Sequence, residues 1–264
     1  MSTYNAEFIT KGLKAAYEAF YDKIELVNTI ISTNPENTPF WGVVETISQG
    51  VVATAISLAC VYALIGFIKE GLDFKNNWEG LLKCIIRLIL TKGLLQNSTD
   101  IMLAIYKVGA ELCSSINGNL NMSVPNIAIA DNPEGLIATI FSYIKYFPFQ
   151  IVLWFCGVII LVICLGLFIQ ICIYIMFAPI SLAQFASNGF DSIKNFLKDY
   201  FAVCLQGAIM MGSMSLFSVL LANKDIFGQF SDSFLGDIGL QIVYCFVLIK
   251  VLISSQSWAR KFLS

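Results

Sequence analysis

Histidine is missing from all 264 residues of this chain. Its absence removes the commonest metal ligand, the usual imidazole proton shuttle and the Ser-His and Cys-His nucleophile pairs, which weighs against a membrane hydrolase or a haem protein. Charge is scarce as well, at 13% of residues with a net value of -2, so no global field holds nucleic acid against the chain by counterion release. No P-loop, GxSxG, HExxH, EF-hand loop or dinucleotide glycine pattern occurs, and no CxxC pair. Seven of the eight cysteines (Cys60, Cys84, Cys156, Cys164, Cys172, Cys204 and Cys245) fall inside apolar segments, and Cys113 sits alone near a segment end. They read as small buried hydrophobes rather than disulfides or ligands. The expectation is a non-enzyme with no catalytic residues, no metal site and no cofactor.

What remains is apolar. Hydrophobic residues make up 57% of the chain and the mean hydropathy is +0.75, values that place it among membrane proteins. From Phe147 to Phe177 no charged residue occurs, a stretch that covers roughly 45 Å as a helix and is longer than a bilayer crossing needs. Pro148 suits a first-turn position, and the Ala178-Pro179 step predicts the end of the helix, with Ala178, Pro179 and Ile180 as the helix-ending turn. The fold class is therefore all-α, a polytopic membrane protein with about five transmembrane helices plus an N-terminal amphipathic helix.

Residues 1–40 form an extracytoplasmic amphipathic segment in this reading, and residues 41–264 the membrane domain. In the first, Phe8, Leu13, Ala16, Phe20, Ile24 and Val27 recur near helical period, with Lys11, Lys14, Glu18, Asp22 and Glu25 on other faces. The charges distributed along it do not match a cleavable signal peptide. Ser32 to Pro39 is a turn-rich break. Spans are predicted at about 42–68, 79–112, 147–177, 200–222 and 238–257, with a polar connection at 113–146 and a cytoplasmic amphipathic helix at about 187–199, capped by Ser187 or Asn188. The stretch 79–112 alternates apolar helix with charges that include Lys83, Arg87, Lys92, Asp100, Lys107 and Glu111, and reads either as a tilted span or as two short interfacial helices, the span being preferred.

The intramembrane ionisable residues are Glu45, Lys83, Arg87, Lys92, Asp100 and Lys250. Glu45, Lys83, Arg87 and Lys250 are within snorkelling reach of an interface, whereas Lys92 and Asp100 are not. Lys83, Arg87 and Lys92 are the candidate translocation path. Ala55, Ala59 and Ala63 recur every fourth residue, and Ala208 and Gly212 offer a second small face; both are candidate helix-packing surfaces. Lys69, Lys75, Lys83, Lys194, Lys198, Arg260 and Lys261 fall on one side of the five-span order, which by the positive-inside bias puts the C-terminus in the cytoplasm and the N-terminus outside. Were 79–112 not to span, the N-terminus would be cytoplasmic. Lys194 and Lys198, four apart, are the candidate cytoplasmic contact.

No internal repeat of the kind that builds secondary transporters is visible, and five spans do not divide into equal halves. Such a chain fits one wall of a larger assembly. At Met176-Phe177-Ala178-Pro179-Ile180-Ser181-Leu182-Ala183, followed by the helix and span over residues 185–211, the sequence resembles the TrbL-type polytopic inner-membrane subunits of type IV secretion and conjugation systems, those of Gram-positive conjugative elements most of all. In that family a long apolar span ends in a similar turn, an amphipathic cytoplasmic helix follows, and a span bearing glutamine and glycine comes next, here Leu205-Gln206-Gly207. The resemblance implies a channel or scaffold subunit, a homo-oligomer in the lipid of the cytoplasmic membrane. Its implied partners are secretion ATPases and other secretion subunits, with DNA or protein as the translocated substrate. Residues 113–146 are shorter than the central loop of many relatives, and almost nothing follows Trp258. A small-solute transporter or a holin-like pore is the alternative.

Overall fold

A computed structural model describes residues 2–71, 78–117, 136–222 and 234–263. Every regular element among them is helical: α1 (Ser2–Ser32), α2 (Trp41–Gly71), α3 (Trp78–Gln96), α4 (Ser98–Asn117), α5 (Leu136–Leu182), α6 (Phe185–Asn188), α7 (Phe190–Ala222) and α8 (Phe234–Leu263), with one 3-10 turn at Pro35–Asn37. This is an all-α polytopic membrane protein. Among the described residues four helical stretches are long and apolar enough to cross a bilayer: Trp41–Lys69, Tyr146–Leu182, Phe190–Phe217 and Ile242–Leu263.

The helices differ from the expected segments in instructive ways. The stretch 79–112 is two helices, α3 and α4, which meet at Asn97, where the backbone N-H and the side-chain Nδ2 both donate to the Gly93 carbonyl, at 3.2 and 2.9 Å. α5 is 47 residues long, beginning at Leu136 and ending at Leu182, so that Pro148 lies well inside it and not in its first turn. Pro179 does not end it either, and the expected helix-ending turn at Ala178, Pro179 and Ile180 is continuous helix. Each proline removes one hydrogen bond, but in an apolar medium an open chain would orphan many more, so the helix continues past both. The amphipathic helix and the fourth span are one helix, α7, and α8 carries Trp258, Ala259, Arg260 and Lys261 inside its last turns. Residues 118–135 and 223–233, which hold most of two predicted loops, lie outside the described residues, as does Lys75.

Two compact units are built from interleaved segments. The first comprises Met1–Ser32, Cys113–Gly166 and Ala208–Ser257. In it the apolar stripe of α1 (Tyr17, Phe20, Tyr21, Ile24, Val27 and Ile31) is buried, while Lys11, Lys14, Glu18, Asp22 and Glu25 are exposed, as their periodicity predicts. α1 runs parallel to α5. Gly12 faces Gln150, Gly157 sits against Phe20 and Lys23, and the Cys164 thiol donates to the Val27 carbonyl at 3.6 Å, so the two helices advance together over about 22 Å. Phe20 also meets Phe217 of α7 edge-on, the centroids 6.1 Å apart, and the Lys23 ammonium lies 5.5 Å from the Trp154 ring.

The second unit comprises Thr33–Leu112, Leu167–Gly207 and Trp258–Ser264. Here α2 packs against α3 and α6. The Cys84 thiol donates to the Ala63 carbonyl at 3.8 Å and the Ser48 and Thr99 hydroxyls are 3.1 Å apart, so α2 and the chain from α3 into α4 are antiparallel. α4 crosses α7 closely: a Cβ on Gly109 would lie 3.0 Å from Cys204 Cβ, and the buried Tyr200 hydroxyl donates to the Met102 carbonyl at 3.0 Å.

Candidate functional site

The best-defined polar construction in the second unit is the corner that joins α5 to α7. α5 ends at Leu182, Ala183 and Gln184 turn, α6 makes a single helical turn, and Gly189 adopts φ +70 before α7 begins. Only glycine takes that backbone region without a Cβ penalty, and its N-H donates to the Phe185 carbonyl at 2.9 Å. Ser187 and Asn188 thus belong to α6 and do not cap α7. The Ser187 hydroxyl donates to the Gln184 carbonyl at 2.9 Å and lies 3.3 Å from the Ser192 hydroxyl, binding the corner to itself.

Two neighbours clamp this corner. From α2, Gly66 approaches so closely that a Cβ there would stand 2.6 Å from the Ser187 carbonyl oxygen. From α3, the Arg87 guanidinium donates to that same oxygen at 3.1 Å, with its Nε 3.8 Å from the position of a Cβ on Gly189. Arg87 therefore satisfies a carbonyl at the end of a helix too short to satisfy its own, as a cation at a helix C-terminus does. Thr91 in turn donates to the Arg87 carbonyl at 2.7 Å.

This placement separates the three residues of the expected path. Arg87 is half-buried and turned into the corner, whereas Lys83 and Lys92 are exposed and leave α3 from opposite flanks, nine residues and about half a rotation apart. The face between those flanks, away from α2, is apolar: Leu82, Ile85, Ile86 and Ile89 are all exposed there. Because α3 lies antiparallel to α2 from Cys84 to its end, its charges stand alongside α2's apolar stretch and not beyond it.

The alanine face is buried as its spacing predicts, Ala55 fully and Ala59 and Ala63 nearly so, and Gly66 extends it by one more turn toward the corner. The second small face is split. Ala208 is buried, but a Cβ on Gly212 would meet nothing within 4 Å. Lys194 and Lys198 are exposed on α7, opposite the buried Ile193 and Tyr200, and Arg260 lies 3.5 Å from Asp199. Glu45 is exposed and accepts from Gln49 at 3.3 Å, and exposed Asp100 occupies the first turn of α4, where the helix dipole favours a carboxylate. Lys250 is exposed in α8, thirteen residues before Leu263 and so deeper than its distance from the predicted helix end implied.

Seven of the eight cysteines are buried or partly buried, Cys60 is exposed, and all are free. In the first unit, burial pushes the phenols of Tyr17 and Tyr21 of α1 well above their ordinary range. The Tyr17 hydroxyl and the Gln206 side-chain oxygen have no hydrogen-bond partner among the described residues. Among the described residues no group of three Asp, Glu or Cys side chains is placed to hold a metal ion. The arrangement at the corner positions helices against one another.

Sequence reasoning missed Gly66, Gly109 and the Ser187 carbonyl. A lone glycine in an apolar helix announces no particular neighbour, and a backbone acceptor has no sequence signature. Comparison of the chain with protein-family models, curated proteins and solved structures finds no match.

Proposed function

We propose that this chain is a non-enzymatic channel or scaffold subunit of a type IV secretion machine of the conjugative-transfer kind. It works in several copies in the cytoplasmic membrane to help pass DNA or protein. One observation carries the reading: the segment that resembles TrbL-type subunits is the clamped corner, a long apolar helix turned through Gly189 into α7 and held by Gly66 and Arg87. A corner fixed in this way supports relaying force or position between helices, and no reaction is needed to explain its side chains.

In this reading α3 crosses beside α2 as a fifth span. Its charges disqualify it on composition, but its antiparallel contact with α2 and its exposed leucines and isoleucines fit a lipid-facing helix whose Arg87 is satisfied internally. Five crossings leave the N-terminus outside and the C-terminus, with Lys194, Lys198, Arg260 and Lys261, in the cytoplasm. Exposed Lys194 and Lys198 then meet headgroups or a cytoplasmic partner such as a secretion ATPase.

The test is to tag the C-terminus, solubilise native membranes gently, and identify what co-purifies and at what particle mass. A high-mass, multi-copy complex containing secretion ATPases is expected. A lone monomer or dimer, under extraction that preserves other complexes, would favour a small-solute transporter or holin-like pore instead.

A further inference from the structure

The two sides of α2 are unlike. Ala55, Ala59, Ala63 and Gly66 form the side covered by α3 and α6. On the opposite side Glu45, Thr46, Gln49, Ala53, Ser57 and Cys60 are exposed, at a helical spacing that places them on one face. Gly42 and Gly50 belong to that face too, and a Cβ on either would meet nothing within 4 Å. One large apolar side chain, Ile56, lies at its edge. From Gly42 to Cys60 the face rises about 27 Å, most of the roughly 30 Å thickness of bilayer hydrocarbon. α3 is the contrast within the same unit: it turns Leu82, Ile85, Ile86 and Ile89 outward, as a helix against lipid does.

The polar groups on this face of α2 direct protons back onto the helix itself. The Thr46 hydroxyl donates to the Gly42 carbonyl at 2.7 Å, the Ser57 hydroxyl to the Ala53 carbonyl at 3.5 Å, and the Gln49 amide to the Glu45 carboxylate at 3.3 Å. What they chiefly offer their surroundings is carboxylate and hydroxyl lone pairs, acceptors for water protons and ligands for hard cations. Hydrocarbon supplies neither, and a carboxylate facing it is costly. A dry contact with the same face of a second copy is no better, because symmetry would set Glu45 against Glu45 with no cation between them.

We infer that this face of α2 lines a water-filled path for small cations, made where the α2 helices of several copies stand around a common axis. The inference rests on the multi-copy channel reading above. Copies in one orientation hold each residue at one depth, so Glu45 repeats as an acidic ring at the mouth of the path, where water and cations screen its charges. Gln49, Ala53, Ser57 and Cys60 follow along the wall, and their small side chains keep it open. Beyond Cys60 the same face continues as Leu64, Phe67 and Ile68, an apolar collar at the far end.

The protein carries its own probe, because Cys60 is the exposed cysteine of the eight. Thiols react as thiolates, which form in water and not in hydrocarbon. A charged methanethiosulfonate reagent added to native membranes should therefore label Cys60, with Cys60→Ala as the baseline. In the Cys60→Ala background, Ala53→Cys and Ser57→Cys should also react. The control is Ile89→Cys in that background: the Cys84 and Ser48 contacts set α3 antiparallel to α2 and put Ile89 at about the depth of Ser57 and Cys60, but facing lipid. The α2 thiols should react roughly tenfold faster or more than the control. Rates equal to the control, or oxidation that links Cys60 of two copies directly, would overturn the path. Glu45→Gln should lower the preference for cations over anions of the purified assembly in planar bilayers. Unreactive thiols in a complex that still contains secretion ATPases would sink this inference and leave the secretion reading standing. Reactive thiols in an assembly without them would do the reverse.

Discussion

Gly66 of α2 and Ser187 at the end of α6 approach so closely that no side chain fits between them: a Cβ on Gly66 would lie 2.6 Å from the Ser187 carbonyl oxygen and 3.1 Å from its Cα. Those atoms are backbone and cannot swing aside. Gly66→Ala should therefore destabilise the protein by about 1–3 kcal/mol, the usual cost of overpacking. Gly157→Ala is the contrast. Its new methyl would meet the Lys23 Cδ at 2.8 Å, the middle of a flexible stem, and replacing glycine within a helix recovers about 1 kcal/mol of propensity. Thermal denaturation in one detergent should show Gly66→Ala well below wild type and Gly157→Ala close to it; equal losses would refute the clamp.

Arg87 should act as a structural cation. Removing its bond to the Ser187 carbonyl by Arg87→Met leaves a half-buried acceptor unmatched and should cost about 1.5–3 kcal/mol. Lys83→Met, one turn away but exposed, should change stability by less than about 0.5 kcal/mol. Limited proteolysis near residues 183–189 would report the difference, with accelerated cleavage in the first variant alone.

Lys83 and Lys92 both remain exposed path candidates, and the channel reading puts Lys92 the deeper of the two. Lys92→Leu should lower transfer in a mating or secretion assay while the chain still reaches the membrane and assembles. Undiminished transfer would remove α3 from the path.

The buried alanines define a contact whose width can be measured. Ala59→Leu adds three carbons to a face that is 6% exposed and should weaken folding or assembly by about 1–3 kcal/mol. Gly212→Leu enters space that is open within the chain and should leave its folding unchanged. The pair of variants, compared by native gel, separates a packed small face from one that merely contains small residues.

Much of this architecture was legible in the sequence for identifiable reasons. α1 and α2 were, because their apolar periodicity and flanking turn residues act locally, and the stripe Ala55, Ala59, Ala63 betrayed its burial because small residues at a four-residue spacing share one side of a helix. α5 was misjudged at both ends. Lys145, Pro148 and Pro179 are each a reason to stop a helix in water, but in an apolar medium an unpaired backbone costs more than a strained one. The 79–112 stretch divides at Asn97, whose side chain shares the Gly93 carbonyl with its own N-H, a signal outweighed on paper by the leucines around it. The corner escaped detection because its chief acceptor is main chain, and a residue name does not reveal where a carbonyl points.

The electrical silence of α5 has a physiological consequence. From Tyr146 to Leu182 the helix bears no ionisable acid or base apart from phenols and thiols, so a membrane potential does no work on it. Each full charge moved through 100 mV contributes about 2.3 kcal/mol, and that lever belongs to the helices that carry charge, through residues such as Glu45, Arg87, Lys92 and Lys250. If the channel reading holds and current proves to depend on voltage, the charges that respond lie on those helices and not on this stretch of α5.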